Sequence, residues 1–157
     1  IPTFAALCAD PDVMKHFPAR LPYADAEALA RRIKAELAER GWGLWAVEVK
    51  GGAPFIGFVG LSPPKFRTDI EIGWRLVKAA WGHGYATEAA RAAIAYGFDQ
   101  LGLPEIVSFT VPANLPSQRV MERIGMVRDP DANFEHPHVP LGSPLRLHWL
   151  WRIVPSA

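Results

Sequence analysis

The residues Trp81 to Tyr85, "WGHGY", stand directly before an alanine-rich stretch with helical spacing. At a helix N-terminus the first backbone N–H groups lack partners inside the helix, and the macrodipole is positive. Glycines at 82 and 84 would let the backbone approach a phosphate without a Cβ in the way. This spacing predicts an anion site, although a tight turn with close packing would use the same residues.

Other phosphate and metal motifs fit less well. Thr87 stands where the G-x-G-x-x-G motif requires its third glycine, and the chain contains no Gly-Lys-Ser/Thr. His136 and His138 form a His-x-His pair, and His148 follows, which raises the question of a zinc site. With Cys8 as the single cysteine and no obvious further ligand set, we expect no metal.

The composition limits the classes of function. The chain has 157 residues, of which 50% are hydrophobic, which predicts one domain spanning residues 1–157. A formal net charge of +1 argues against binding nucleic acid or an anionic membrane through bulk charge. No apolar run reaches the ~18 residues that a membrane span needs, and one cysteine suggests a reducing cytoplasm. The first residue is Ile1, so an N-terminal strand could be absent from this sequence.

Periodicity predicts the elements that position the glycine turn. After one or two short helices near the start, Asp25 is expected to cap an amphipathic helix that ends at Gly41. Two β-prone segments joined at Gly51-Gly52 predict an antiparallel hairpin. Apolar residues alternate from Ile70 to Leu76, which predicts a third strand that leads into the turn.

Further elements are predicted after the turn. The helix that follows it and a strand from Glu105 to Val111 complete a strand–helix–strand unit, whose strands usually lie parallel or side by side. Asn114 is expected to cap a short helix that stops at Gly125. The proline-rich segment 128–144 predicts a long loop before a last strand in "LRLHWLWRIV". The order indicates a mixed sheet flanked by helices, in the α/β or α+β class.

Several of these motifs, in this order, resemble the core of the GCN5-related N-acetyltransferase (GNAT) superfamily. They are "EIGWRL", "WGHGYATEA" and "NLPSQRVMERIGM". The turn resembles especially the branch that contains the ribosomal-protein N-terminal alanine acetyltransferases, and "FAALCADPDVMKHFP" is similar to the first helices of that branch. The resemblance covers most of the chain. It implies a GNAT-type mixed, mostly antiparallel sheet and an acetyl-CoA-dependent N-acetyltransferase.

The resemblance also implies where acetyl-CoA binds. The co-substrate would lie between the third strand and the strand that follows the long helix, with its pyrophosphate on the glycine turn. Asn114 would bond the pantetheine arm, and Ser117 would lie near the sulfur. At His83 the backbone would be used while the ring faces solvent. The implied contact residues are Trp74, Arg75, Leu76, Val77, Trp81, Gly82, His83, Gly84, Tyr85, Ala86, Thr87, Asn114 and Ser117.

The sequence departs from the family pattern at two positions. Ala79 occupies the Q/R position of the turn, which leaves the backbone donors in place. Met121 stands where many members carry the tyrosine that protonates the leaving thiolate. Ser117 could donate to the thiolate instead, although a serine in a first helical turn often only satisfies a backbone N–H. Lys65, Lys78 and Arg119 could reach the 3′-phosphate of CoA or could be solvated surface charges.

Glu71 is the candidate catalytic base, because it lies on the strand that forms the implied acetyl site. It could instead only pair with Arg75 on the same face. An α-amine with a pKa near ~8 is neutral in roughly a tenth of molecules at pH 7, whereas a lysine amine near ~10.4 is neutral far more rarely. The strength of base that is needed therefore depends on the acceptor.

The sequence thus predicts acetyl transfer to a primary amine by direct attack in a ternary complex. The acceptor could be a protein N-terminus or a small amine such as a polyamine, an amino acid or an antibiotic, and the protein a monomer or a homodimer. The C-terminal segment with Trp149 and Trp151 resembles the border of the family's acceptor groove. Two alternatives stay open, a catalytically silent acyl-CoA sensor and, more weakly, a flavin- or nucleotide-binding module.

Overall fold

A computed structural model describes residues 1–156, which form four α-helices and six strands. The elements are α1 (Pro2–Ala9), α2 (Tyr23–Arg40), β1 (Leu44–Val47), β2 (Gly57–Ser62), β3 (Glu71–Leu76), α3 (Tyr85–Asp99), β4 (Ile106–Thr110), α4 (Leu115–Arg123), β5 (Val127–Glu135) and β6 (Leu147–Ile153). A 3₁₀ turn, Lys78–Ala80, separates β3 from α3. Within residues 1–156, none of the helices combines the length and apolar character that crossing a bilayer demands.

The six strands form one sheet in the order β1-β2-β3-β4-β6-β5. All neighbouring strands are antiparallel except β3 and β4, which are parallel. The parallel pair is joined by α3, as a crossover connection requires. The structure therefore confirms the predicted hairpin, the strand–helix–strand unit and the mixed, mostly antiparallel sheet.

Helices cover both faces of this sheet. On one face, Ile72 and Leu76 of β3 share a buried cluster with Ala90 and Ala93 of α3. On the other face, α1 and α2 pack together against Phe58 of β2. The small side chains of α3 let it approach the strands closely. At Gly97 an added Cβ would lie 2.9 Å from Ile106 Cδ1 and 3.0 Å from Leu61 Cδ1.

Two predicted boundaries are wrong. The N-cap of α2 is Pro22 rather than Asp25, which lies in the first turn, where a carboxylate suits the helix dipole. The segment 128–144 is not one long loop, because β5 runs through it to Glu135. An irregularity between Asp129 and Phe134 interrupts its pairing with β6. A bulged edge strand tolerates proline and polar residues that would break an inner strand.

The parallel strands β3 and β4 pair over a very short distance. Their register contains one residue pair, Glu71 with Val107, and the Val107 N–H donates to the Ile70 carbonyl at 3.0 Å. Just beyond it, the Ser108 hydroxyl donates to the Ile72 carbonyl at 2.9 Å. Meanwhile β4 keeps pairing with β6 as far as Thr110. The sheet therefore opens between β3 and β4 toward their carboxyl ends.

Candidate active site

A cavity of about 310 Å³ lies where β3 and β4 separate. It brings together Glu71 and Trp74 of β3 with Asn114 and Ser117 at the start of α4. The two pairs are far apart in the sequence, and all four residues were predicted to belong to the site. The opening in the sheet thus creates one hollow with a carboxyl group, an indole, an amide and a hydroxyl on its walls.

Glu71 has no ion pair and no side-chain hydrogen bond among residues 1–156, although it is partly buried. Arg75, its alternative partner, instead stacks its guanidinium over Phe17 at 4.4 Å and donates to Cys8 Sγ at 3.5 Å. Burial raises the pKa of Glu71 to about 8, against the opposing charge of Arg67. The carboxyl group can therefore take up and release a proton near neutral pH.

Ser117 is held by two neighbours, Asn114 on its backbone N–H and Trp74 on its hydroxyl. Asn114 caps α4, because its Oδ1 accepts from the Ser117 N–H at 3.3 Å, and its Nδ2 donates to Thr110 Oγ1 at 3.0 Å. The Trp74 indole Nε1 donates to Ser117 Oγ at 3.3 Å, a contact that the sequence did not reveal. With one lone pair engaged by an N–H donor, the serine O–H is free to donate into the cavity.

Met121 closes the cavity beneath this serine. Its side chain is 1% exposed and belongs to the main core cluster. A thioether there gives an apolar wall with no proton to donate. Ser117 is therefore the hydroxyl donor on the α4 side of the cavity.

The glycine turn lies at the N-terminus of α3, and its geometry fits an anion. Gly82 and Gly84 adopt φ values of 77° and 78°, and a Cβ at either position would meet nothing within 4 Å. Left-handed backbone, rather than crowding, therefore requires these glycines. The Glu88 N–H donates to Gly84 at 3.0 Å, and no side chain caps the helix. The N–H groups of the first turn thus have no side-chain acceptor among residues 1–156, so they can donate to a pyrophosphate.

The other residues assigned to the turn are placed as follows. Trp81 Nε1 donates to the Leu76 carbonyl at 2.9 Å, which ties the turn to the end of β3. His83 is exposed, and its ring stacks on Tyr85 at 5.3 Å. The side chain of Arg75 is engaged by Phe17 and Cys8 and does not line the cavity, so its backbone is the part that could contribute. Lys78 already pairs with Asp12 at 2.8 Å.

The His-x-His pair, His136 and His138, meets the more distant His148 at one end of the cavity. The ring centroid of His136 lies 5.4 Å from that of His138 and 4.9 Å from that of His148. Within residues 1–156, no three His, Cys, Asp or Glu side chains are arranged to hold a metal ion. Phe66 and Phe109 pack among the histidines. The sequence did not assign these phenylalanines to the site, because neither belongs to a motif that carries chemistry.

A second, more open hollow of about 410 Å³ lies between β1 and α3. It is lined mainly by apolar side chains, among them Trp45, Val59 and Tyr96. Its acidic residue, Glu48, is exposed. Glu71 and Ser117 do not reach this hollow, so the smaller cavity at the sheet opening is the candidate active site.

Comparisons with known proteins agree with this geometry. The family profile for the acetyltransferase (GNAT) domain matches residues 1–127. The FsC-acetyl coenzyme A-N(2)-transacetylase of Aspergillus fumigatus is 35% identical over an alignment of 128 residues. The match covers 74% of this chain and 54% of that protein. This chain thus spans about half the length of that relative.

Solved structures share the fold over nearly the whole chain. A GNAT-family acetyltransferase from Bacillus anthracis has a TM-score of 0.79 and 28% identity, and the match covers 98% of this chain and 87% of that one. A ribosomal-protein-S5-alanine acetyltransferase from Vibrio fischeri has a TM-score of 0.72 and 21% identity over 97% of this chain and 88% of its own. The chain therefore belongs to the GNAT family and is an acetyl-CoA-dependent N-acetyltransferase.

Proposed function

We propose that the protein transfers the acetyl group of acetyl-CoA directly to a primary amine in a ternary complex, with Glu71 as base and Ser117 as hydrogen-bond donor. The observation that carries this proposal is the cavity at the sheet opening. It places an unpaired carboxyl group with a pKa of about 8 in the same hollow as a serine hydroxyl that is free to donate.

The residues of this cavity support a balanced reaction. Glu71 takes a proton from the amine, whose nitrogen forms a bond to the acetyl carbonyl carbon as the carbon–sulfur bond breaks. The departing sulfur carries the negative charge, and the Ser117 O–H donates a hydrogen bond to it. The proton on Glu71 returns to solvent or to the thiolate. The products are an N-acetylated amine and CoA with a free thiol.

The proposed contacts of acetyl-CoA follow from the open donors. The backbone N–H groups from Gly82 to Thr87 would hold the pyrophosphate at the N-terminus of α3. Asn114 would bond the pantetheine arm from the start of α4. Trp74 to Val77 would offer backbone groups where β3 has left β4. Because Lys78 pairs with Asp12, Lys65 and Arg119 are the better candidates for the 3′-phosphate.

The pKa of Glu71 limits the range of amines that can act as the acceptor. An α-amine with a pKa near ~8 matches a carboxyl group with a pKa of about 8, so proton transfer between them costs almost nothing. A lysine-like amine near ~10.4 would oppose that transfer by ~2.4 pKa units. A protein N-terminus or a small amine of low pKa is therefore the proposed acceptor. We place the reaction in the cytoplasm, with a monomer or homodimer as the acting species.

Two measurements test this proposal. Acetyl-CoA at about a hundred times its dissociation constant should stabilise the fold by about 2.7 kcal/mol in a thermal shift assay. Release of CoA thiol should then depend on an added amine, and it should fall in both Glu71→Gln and Ser117→Ala. Binding of acetyl-CoA without thiol release from any amine or peptide would instead favour a silent sensor, which no present observation supports.

A further inference from the structure

Six ring side chains form a wall at one end of the active-site cavity. We call them the aromatic wall; they are Phe66, Phe109, Phe134, His136, His138 and His148. Phe66 lies 4.7 Å from His136, and Phe109 lies 5.2 Å from Phe134, measured between ring centroids. All of these residues except Phe134 line the same cavity as Glu71. The proposed base and a continuous ring surface therefore share one hollow.

Three of the six rings stand on strands of the sheet, and the other three pack against them from loops. Phe134 of β5 stands directly opposite His148 of β6 in the strand register. Phe109 belongs to β4, the next strand of the sheet, and Phe66 reaches the cluster from the loop before β3. Arg67 stacks over Phe134 at 5.0 Å. A ligand that packs on such a surface need not order it first.

Two of the three histidines at the wall are uncharged, and the two arginines beside it are paired. Burial is the largest effect that lowers the pKa of His136 to about 4, followed by the neighbouring His148, His138 and Arg146. Burial also lowers the pKa of His148, so both rings are neutral at pH 7. Arg67 pairs with Asp69 at 2.8 Å, and Arg146 pairs with Glu135 at 3.4 Å.

Such a surface discriminates among amines. Aromatic rings gain about 0.5–1.5 kcal/mol from edge or offset contacts with other rings, beyond the area that they bury. A carboxylate or a second ammonium group on the acceptor would lose its hydration at the wall without gaining a paired partner. The cavity of about 310 Å³ must also admit the acetyl group and the end of the pantetheine arm, so the part at the wall suits one ring rather than a large scaffold.

Building on the acetyl transfer proposed above, we propose that the aromatic wall is the acceptor subsite and selects a primary amine with an uncharged aromatic ring close to its nitrogen. The ring packs on Phe66 and Phe109 while the amine reaches Glu71. A free arylalkylamine and a peptide with an aromatic first residue share this chemistry.

The test compares matched amines in binding and in turnover. Phenylalaninamide is set against 3-cyclohexylalaninamide, which carries the same low-pKa α-amine and has a similar size but no flat ring. Calorimetric titration into the CoA-bound protein should show about fivefold tighter binding of the aromatic amine, and kcat/KM should differ in the same direction. A phenylalanyl dipeptide amide tests the peptide source, while free phenylalanine and cadaverine test the added charges. Tighter binding of the small aromatic amine than of its cyclohexyl counterpart supports the proposal. Whether that small amine or the dipeptide amide binds more tightly then identifies a free amine or a peptide as the source.

A pair of variants connects the preference to the wall. Phe66→Leu should lower the aromatic-to-cyclohexyl ratio and Phe66→Leu with Phe109→Leu should bring it to about one, whereas Phe98→Leu, the same change outside the cavity, should keep it. Equal binding of the two amines to the unmodified protein, or preferential use of cadaverine, would overturn the aromatic subsite and leave acetyl transfer intact. Aromatic binding without any thiol release would keep the subsite and overturn the proposed reaction, so the two failures are distinguishable.

Discussion

Glu71 is the proposed base, although its buried surroundings favour the protonated carboxyl group. Most glutamates are ionised at pH 7, but burial raises the pKa of this one to about 8. The nearby Arg67 opposes the shift without reversing it, because it pairs with Asp69. The sequence placed Glu71 on the correct strand but could not show that Arg75 would be engaged elsewhere. Its pKa depends on the fold around it rather than on adjacent residues.

This pKa should appear in the pH dependence of the reaction. With an amine whose own pKa is near ~10.4, kcat/KM should rise as pH increases through about 8, because Glu71 must be ionised to accept a proton. In Glu71→Gln the rate should fall by about 10²–10⁴-fold, and the limb that ends near pH 8 should be replaced by a steady rise up to pH ~9 from deprotonation of the amine alone. Initial rates of the unmodified protein and the variant, measured from pH 6 to 9, test this prediction. An unchanged limb in the variant would assign the titration to another group.

Trp74 should position the hydroxyl of Ser117. Trp74→Phe removes the indole N–H that donates to Ser117 Oγ and keeps most of the aromatic bulk. We expect kcat to fall by about tenfold with little change in the KM for acetyl-CoA, because this bond orients the donor for the transition state. In the Ser117→Ala background the same change should have almost no effect. Equal losses in both backgrounds would show that Trp74 acts only through packing.

The glycine turn illustrates what a motif can and cannot reveal. The sequence left it open whether Gly82 and Gly84 serve close packing or ligand approach. Positive φ with open space around both residues excludes the packing reading. The small residues of α3, in contrast, do serve packing, as Gly97 shows. Both kinds of residue occur in one alanine- and glycine-rich stretch, and only their surroundings separate them.

Gly84→Ala should weaken binding of CoA more than it weakens the fold. An alanine in left-handed backbone costs about 1–2 kcal/mol, so some stability will be lost. Gly102→Ala is the matched control, because Gly102 has a φ of 62° and equally open space but lies after α3. Both variants should lose similar stability on thermal unfolding, while Gly84→Ala alone should raise the dissociation constant of CoA. Equal CoA binding by the two variants would refute the cradle.

The edge strand β5 was the hardest element to predict. The inner strands β2, β3 and β4 have apolar residues that sequence periodicity detects. β5 contains Pro130 and several charges, and it keeps its place through pairing with β6 on one side. The aromatic wall depends on that pairing, so a missed strand also hid Phe134 and its neighbours. The parts of the site that lie on regular, buried elements could be predicted, whereas the acceptor end could not.

The whole molecule should lose stability as Glu71 ionises. Its folded pKa of about 8 lies above the ordinary value of 4.5, so the folded state holds this proton more tightly than the unfolded chain does. The contribution is fully present below pH 4.5 and declines as pH rises toward 8. Glu71→Gln should therefore gain on the order of 1–3 kcal/mol relative to the unmodified protein between pH 5 and 8. Denaturant unfolding of both proteins at pH 5 and at pH 8 tests this prediction. The same difference in unfolding free energy at the two pH values would refute it.

The opening of the sheet gives the molecule one hollow in which acetyl-CoA and an amine can meet. On one side, β3 remains bonded to β2 along its whole length, and on the other, β4 remains bonded to β6. The two halves of the sheet can separate at their carboxyl ends without leaving long edges unpaired. The proposed direct transfer needs room for both substrates at once, and this opening is where we place them.

Initial rates of CoA thiol release, with acetyl-CoA and the amine varied together, decide whether the acetyl group moves directly. Double-reciprocal plots should give intersecting lines, because the amine attacks while acetyl-CoA is still bound beside Glu71 and Ser117. Equal amounts of acetylated amine and free thiol should accumulate. Parallel lines, or a burst of thiol before any amine is added, would indicate an acetylated enzyme and contradict the direct transfer proposed here.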